Sequence, residues 1–142
     1  MMKKMGIKFA TKISGFPEDL DKASFDTPIS YIKATCKGKT DALLKSMSNN
    51  DYDVLVTADT VVLDKDNNII EKPESEDQHF EFIKILNGGW STIITVLNVT
   101  RKKGQEIQTI EKIDTCKLKM VAMEDQVIRK FVQMYPENRF AY

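Results

Sequence analysis

Residues 53 to 73, DVLVTADTVVLDKDNNIIEKP, constrain the fold more than any other stretch of the chain. Val54, Leu55 and Val56 form a short apolar block rich in β-branched side chains. A block of that length between polar turns predicts a strand, Val54–Ala58, central in a sheet and buried on both faces. Asp59 and Thr60 then interrupt the pattern before Val61, Val62 and Leu63 resume it. A carboxylate between two apolar runs is costly to bury unless it is paired, protonated or bound to a cation. Asp64 to Asn68 make a polar turn, Ile69 and Ile70 follow, and Pro73 closes the stretch while holding Lys72 out of helical geometry. Asp59 and Lys72 therefore flank a tight reversal, an arrangement suited to a metal and a phosphate. Plainer roles fit the same residues, since an Asp here can cap a turn and a Lys before Pro is commonly solvated.

The turn itself is rich in Asp and Asn, yet it does not match a calcium loop of the EF-hand kind. That loop needs Gly at its sixth position and an acid at its twelfth. Counted from Asp64, these are Ile69 and Ser75. A hairpin connection is expected instead.

ADTVV, a turn and IIEKP together resemble the central signature of the Maf (septum-formation) family. Three further pieces match in the same order: SGFPEDLDKASF at 14–25, CKGKTDALL at 36–44, and ESEDQHFEFIKILNGGWSTIITVLNV at 74–99. The resemblance implies an α/β fold, a single Maf/inosine-triphosphatase-like domain over 1–142 with a mixed central sheet flanked by helices. It implies a nucleoside triphosphate pyrophosphatase, releasing a nucleoside monophosphate and pyrophosphate, with dTTP, UTP or related nucleotides as substrates. It also implies roles for particular residues. Asp59 would be the catalytic carboxylate and a metal ligand, Glu18 would share the metal, and Lys39 and Lys72 would bind substrate phosphates. The metal would be Mg²⁺, with Mn²⁺ as substitute. On this resemblance the family's Ser-x-Ser-x-Arg-Arg phosphate loop, which precedes this region, finds no counterpart in these residues, and the family's last strand and helix are expected to be missing as well. Near Ser91 the family usually carries a His, and its Thr-Gly-Val reads Thr95-Val96-Leu97. An impaired family member that binds nucleotide or a protein partner is the alternative reading, and a plain α/β interaction domain is a third.

Along the rest of the chain, Ile7 to Ile13 alternates in the manner of a half-buried strand. Helices are expected around 30–47, 74–87 and 124–135. On the first, Cys36, Thr40, Leu43, Leu44 and Met47 share a face, and Lys39 lies off it. Cys36 reads as a small core residue. The only histidine, His79, reads as structural, beside an apolar stripe of Phe80, Ile83 and Leu86 widened by Phe82 and Ile85. On the last helix Val127, Ile128, Phe131, Val132 and Tyr135 form an apolar stripe, with Phe131 expected to pack toward the sheet. Leu55 and Val61 are expected in the core. Trp90–Thr100 and Glu106–Val121 read as an antiparallel pair around a turn at 101–105.

Composition narrows the partners. The chain has 142 residues and a formal net charge of +0, so bulk attraction to a nucleic-acid polymer or a membrane surface is not expected. No apolar run approaches the roughly 20 residues of a membrane span. The two cysteines are far apart and form no metal-type spacing, which points to a reduced, cytoplasmic setting. A missing N-terminal strand would leave an open sheet edge, and with it a tendency to form a homodimer or to aggregate.

Overall fold

The computed structural model of the chain describes residues 4, 6–48, 51–70, 72–103 and 106–134. Its elements are α1 (Pro28–Ser46), β1 (Val54–Leu63), β2 (Ile69–Ile70), α2 (Glu76–Leu86), β3 (Trp90–Lys103), β4 (Glu106–Lys119) and α3 (Asp125–Met134), with one short 3-10 turn at Lys22–Ser24. The four strands form one sheet in the order β2-β1-β3-β4. The α/β class is as expected, but every described pairing is antiparallel rather than mixed. For the β1–β2 and β3–β4 neighbours short connections explain this: residues 64–68 alone separate β1 from β2, and residues 104 and 105 alone separate β3 from β4, whereas a parallel pair needs a long crossover.

Local chemistry sets the elements. Thr27 caps α1: its hydroxyl accepts from the Ser30 N–H at 3.1 Å, while Ser30 Oγ accepts from the Thr27 N–H at 3.2 Å. Pro28 follows as the first helical residue, where its missing N–H costs nothing. In the β1–β2 hairpin the Asp64 N–H donates to the Asn68 carbonyl at 3.0 Å, and Asn67 takes the left-handed conformation at φ 65. That is the reversal expected in place of a calcium loop. Val62 then faces Ile70, and Leu63 faces Ile69.

Packing places α1 on one face of the sheet. Tyr31, Ile32 and Cys36 of α1 are buried against Val61 and Leu63 of β1 and Ile94 and Val96 of β3. Side chains alternate along a strand, so Thr57 and Asp59 share this helix-covered face with Val61. A second cluster joins α2 to α3 through Phe80, Ile83, Ile128 and Val132.

Several expectations need correction. β1 does not end at Ala58 but runs through Asp59 to Leu63. Its first half is not buried on both faces: Val54 and Val56 are exposed and Leu55 is half-buried, whereas Val61 is buried as expected. Val54 and Val56 lie on the face that α1 does not cover, and β2 pairs only with Val62 and Leu63. Among the described residues Val54–Thr60 has a strand partner on the β3 side alone, so over this stretch the strand expected to be central is an open edge. Residues 7–13 form no strand, and Ile13 is 90% exposed. Phe131 does not pack toward the sheet; it is partly exposed and meets His79 of α2 edge-on at 6.3 Å. Ile85 and Val127 are exposed members of their stripes, because each helix buries only the side turned to the other. Tyr135, expected in the last stripe, lies outside the described residues.

Candidate functional site: a lysine between two carboxylates

Three of the four residues singled out in the sequence meet in space. Lys39 projects from α1 and donates to Asp59 Oδ1 on β1 at 2.7 Å and to Glu18 Oε2 at 2.8 Å. The Lys39 and Asp59 side chains are 16% and 12% exposed, so this contact is largely withdrawn from water. Glu18 is 53% exposed and approaches from the irregular segment before α1. Lys72, the fourth, is exposed and makes no ion pair among the described residues. It acts on Asp59 through space, favouring the carboxylate form.

Gly38 explains how Glu18 gets there. A glycine inside a helix costs roughly 0.5–1 kcal/mol relative to alanine. At this position a Cβ would collide with the ring of Phe16. The bare backbone lets Phe16 lie against α1, and the chain two residues on then carries Glu18 over Lys39.

Beneath the charged groups lies a buried polar network that the sequence did not flag as functional. Thr40, next to Lys39, and Thr57, two residues before Asp59, have hydroxyls 2.7 Å apart. Asn98 Nδ2 donates to Thr40 Oγ1 at 3.1 Å, and Thr40 Oγ1 lies 2.9 Å from the Cys36 carbonyl. With the Thr40 proton spent on that carbonyl, the Thr57 hydroxyl becomes the donor to Thr40. The Cys36 Sγ lies 3.5 Å from the Val96 carbonyl. These bonds tie α1 to β1 and β3 directly under the Lys39–Asp59 contact. The available signal was a polar residue on each apolar face, Thr40 on the helix and Thr57 and Asn98 on the strands. Cys36 is fully buried and burial raises its thiol pKa, in keeping with the structural role expected of it. His79 is buried between α2 and α3, also as expected.

Burial raises the Asp59 carboxyl above the ordinary carboxylate value, outweighing the opposite pull of Lys39. Burial works against the charge on Lys39 as well, but hydrogen bonds to Asp59 and Glu18 outweigh it and hold the ammonium above its ordinary pKa. The result is a firmly protonated lysine beside a carboxylate more basic than one in water.

The donor chemistry suits a hard cation. Two carboxylates converge on one positive charge, and the Lys39 ammonium stands where such a cation would be held. Among the described residues no group of three or more His, Cys, Asp or Glu gathers to hold a metal. The chain would thus offer two oxygen ligands and leave the rest to water and phosphate, the usual mode for Mg²⁺.

The family described as Maf-like protein matches residues 1–140. The chain belongs to the Maf family. It is 36% identical over 78 residues to a dTTP/UTP pyrophosphatase of Schizosaccharomyces pombe, covering 54% of this chain and 32% of that protein. It is 30% identical over 98 residues to a nucleoside triphosphate pyrophosphatase of Dictyostelium discoideum, covering 68% of this chain and 45% of that protein. Against a dTTP/UTP pyrophosphatase of Methylobacillus flagellatus the identity is 24% over 134 residues, or 93% of this chain and 62% of that protein. The chain therefore spans roughly a third to under two thirds of these relatives' length. No described helix is long and apolar enough to cross a membrane.

Proposed function

We propose that this Maf-family chain serves the hydrolysis of a nucleoside triphosphate between its α and β phosphates. Water adds to the α phosphorus, the bond to the bridging oxygen breaks, and the products are a nucleoside monophosphate and pyrophosphate. The observation that carries this reading is the meeting of Glu18, Lys39 and Asp59 from three separate segments. Asp59 takes the proton from the attacking water, a task favoured by its burial-raised basicity. Lys39 is freed from the carboxylates when phosphate arrives and offsets its charge, and the exposed Lys72 adds a second cation. Glu18 and Asp59 would hold Mg²⁺, with Mn²⁺ as substitute, and the bound metal supplies charge neutralisation and polarisation of the phosphate. Names of the relatives put dTTP and UTP at the head of the substrate panel. The same reading includes a cytoplasmic setting, supported by the two free cysteines, and self-association through the open β1 edge.

A binding-only role is favoured by one observation: Lys39 already occupies both carboxylates. Pyrophosphate release from dTTP, UTP and the other triphosphates, with and without Mg²⁺, separates the two. Catalysis predicts metal-dependent release that falls by ~10²–10⁴-fold in Asp59→Asn, the range for losing a general base. No release, but a nucleotide-dependent rise in melting temperature, would leave binding only. Neither response would sink both readings.

A further inference from the structure

A second, chemically different surface lies at the far end of the same sheet face. The sequence has a single tryptophan, Trp90, at the start of β3, and its side chain is 56% exposed. The ring borders an open groove of about 420 Å³ lined by Asp64, Lys65, Asn67, Thr92 and Lys117. That volume falls within the range of small-ligand sites. An exposed indole forgoes the favourable burial that most such rings achieve, so what surrounds it decides whether the exposure has a use.

The surroundings are cationic. Lys119 pairs across the ladder with Trp90, and Lys117 with Thr92. The Lys119 ammonium sits 5.9 Å from the centre of the indole ring. Neither lysine makes an ion pair among the described residues. The one carboxylate in the lining, Asp64, is held by its own turn. Asp64 Oδ1 accepts from the N–H groups of Asp66 and Asn68 at 2.8 and 2.9 Å, and Oδ2 accepts from Asn68 Nδ2 at 3.0 Å. Lys65 is already matched by Asp66 at 2.8 Å. Lys117 and Lys119 together outnumber the Asp64 carboxylate, so the groove and its rim carry net positive charge beside the half-exposed indole.

We propose that this groove binds a phosphorylated planar ligand, a nucleoside monophosphate being the simplest example. Its base stacks on Trp90 and its phosphate lies against Lys117 and Lys119. Stacking on an exposed aromatic with a cation alongside suits any base, so base selectivity is weak. The groove is separate from the Glu18–Lys39–Asp59 site. Asp59 and Leu63 are four residues apart on β1, about 13 Å at strand rise. The buried core of Tyr31, Ile32, Val61, Leu63 and Ile94 fills the space between.

The lone tryptophan supplies the assay. Intrinsic fluorescence of the full chain is titrated with UMP, with uridine, which lacks the phosphate, and with ribose 5-phosphate, which lacks the base. The expected result is saturable quenching by UMP that is at least about 10-fold stronger than by either fragment and weakens with added salt. Lys117→Gln/Lys119→Gln, with an unchanged melting temperature, reduces UMP affinity by about 10-fold or more. Lys72→Ala leaves the quenching as it was, because that lysine belongs to the other site. Trp90→Phe, followed by ligand-observed NMR, retains weakened UMP binding that still requires the two lysines. Three results would each overturn the proposal: no saturable quenching up to about 10 mM UMP, quenching indifferent to the Lys117/Lys119 changes, or quenching abolished by Lys72→Ala.

Discussion

Replacing Lys39 by Met should harm folding more than replacing Asp59 by Asn, although the two residues share one hydrogen bond. Lys39→Met leaves the Asp59 carboxylate, 12% exposed, without its nearest cation and facing Glu18. Removing one partner of a fully buried pair costs about 3–5 kcal/mol. Half-exposed Glu18 contributes little to that cost, because water solvates it once freed. The expected loss at neutral pH is therefore about 2–4 kcal/mol. Asp59→Asn forfeits a charge-assisted bond worth about 1.5–3 kcal/mol but also removes a buried charge, and Lys39 keeps Glu18 at 2.8 Å. Its expected net loss is about 0–1.5 kcal/mol. The double variant should cost less than the sum of the singles, with a coupling of about 1.5–3 kcal/mol. Urea denaturation of all four proteins at constant m-value measures these terms. The pH dependence has a definite sign. Asp59 has a folded pKa raised above the ordinary 3.8, so its contribution to stability is fully present below that value and lost as pH rises through the folded pKa. Without Lys39 that pKa rises further, and the deficit of Lys39→Met should shrink on acidification. Equal stability of Lys39→Met and Asp59→Asn at neutral pH, or a deficit that grows in acid, would refute the argument.

Other consequences follow from the same contacts. Thr40→Val strands the Thr57 hydroxyl and the Asn98 amide and should cost about 1–3 kcal/mol in denaturant unfolding, whereas Thr40→Ser should recover most of it. Gly38→Ala should displace Phe16 and loosen Glu18 from Lys39 while leaving the Lys39–Asp59 contact in place; unchanged Phe16 ring shifts in NMR would contradict this. Asp64→Ala should lower the melting temperature at pH 7 by removing three hydrogen bonds from its turn. Burial resists the Asp64 charge, but bonds from Asn68 and Asp66 hold its pKa below the ordinary 3.8. Its stabilisation is present above that value and lost as pH falls through the folded pKa, so the gap from Asp64→Ala should close in strong acid.

The sequence determined the local choices by itself. Thr27-Pro28 before a helical pattern started α1, and a turn of Asp and Asn between apolar runs set the β1–β2 hairpin. The same was true of the long antiparallel pair, since alternation around a polar turn needs no distant partner. Glu18, Lys39, Asp59 and Lys72 were legible only because ordered motifs resemble a family; periodicity alone would have left all four as solvated or turn residues. Tertiary structure decided everything that depends on a partner. Alternation in residues 7–13 suggested a strand, yet among the described residues no neighbour pairs with it, and a strand without a ladder gains nothing. Val54 and Val56 read as core, but burial needs a covering layer, and α1 covers only the face that carries Thr57, Asp59 and Val61. Phe131 obeyed the helical period and still turned to α2 rather than to the sheet. The network of Thr40, Thr57 and Asn98 joins residues up to 58 positions apart. A hydrogen bond of that kind depends on distance in space, which a one-dimensional pattern does not record until the chain has folded.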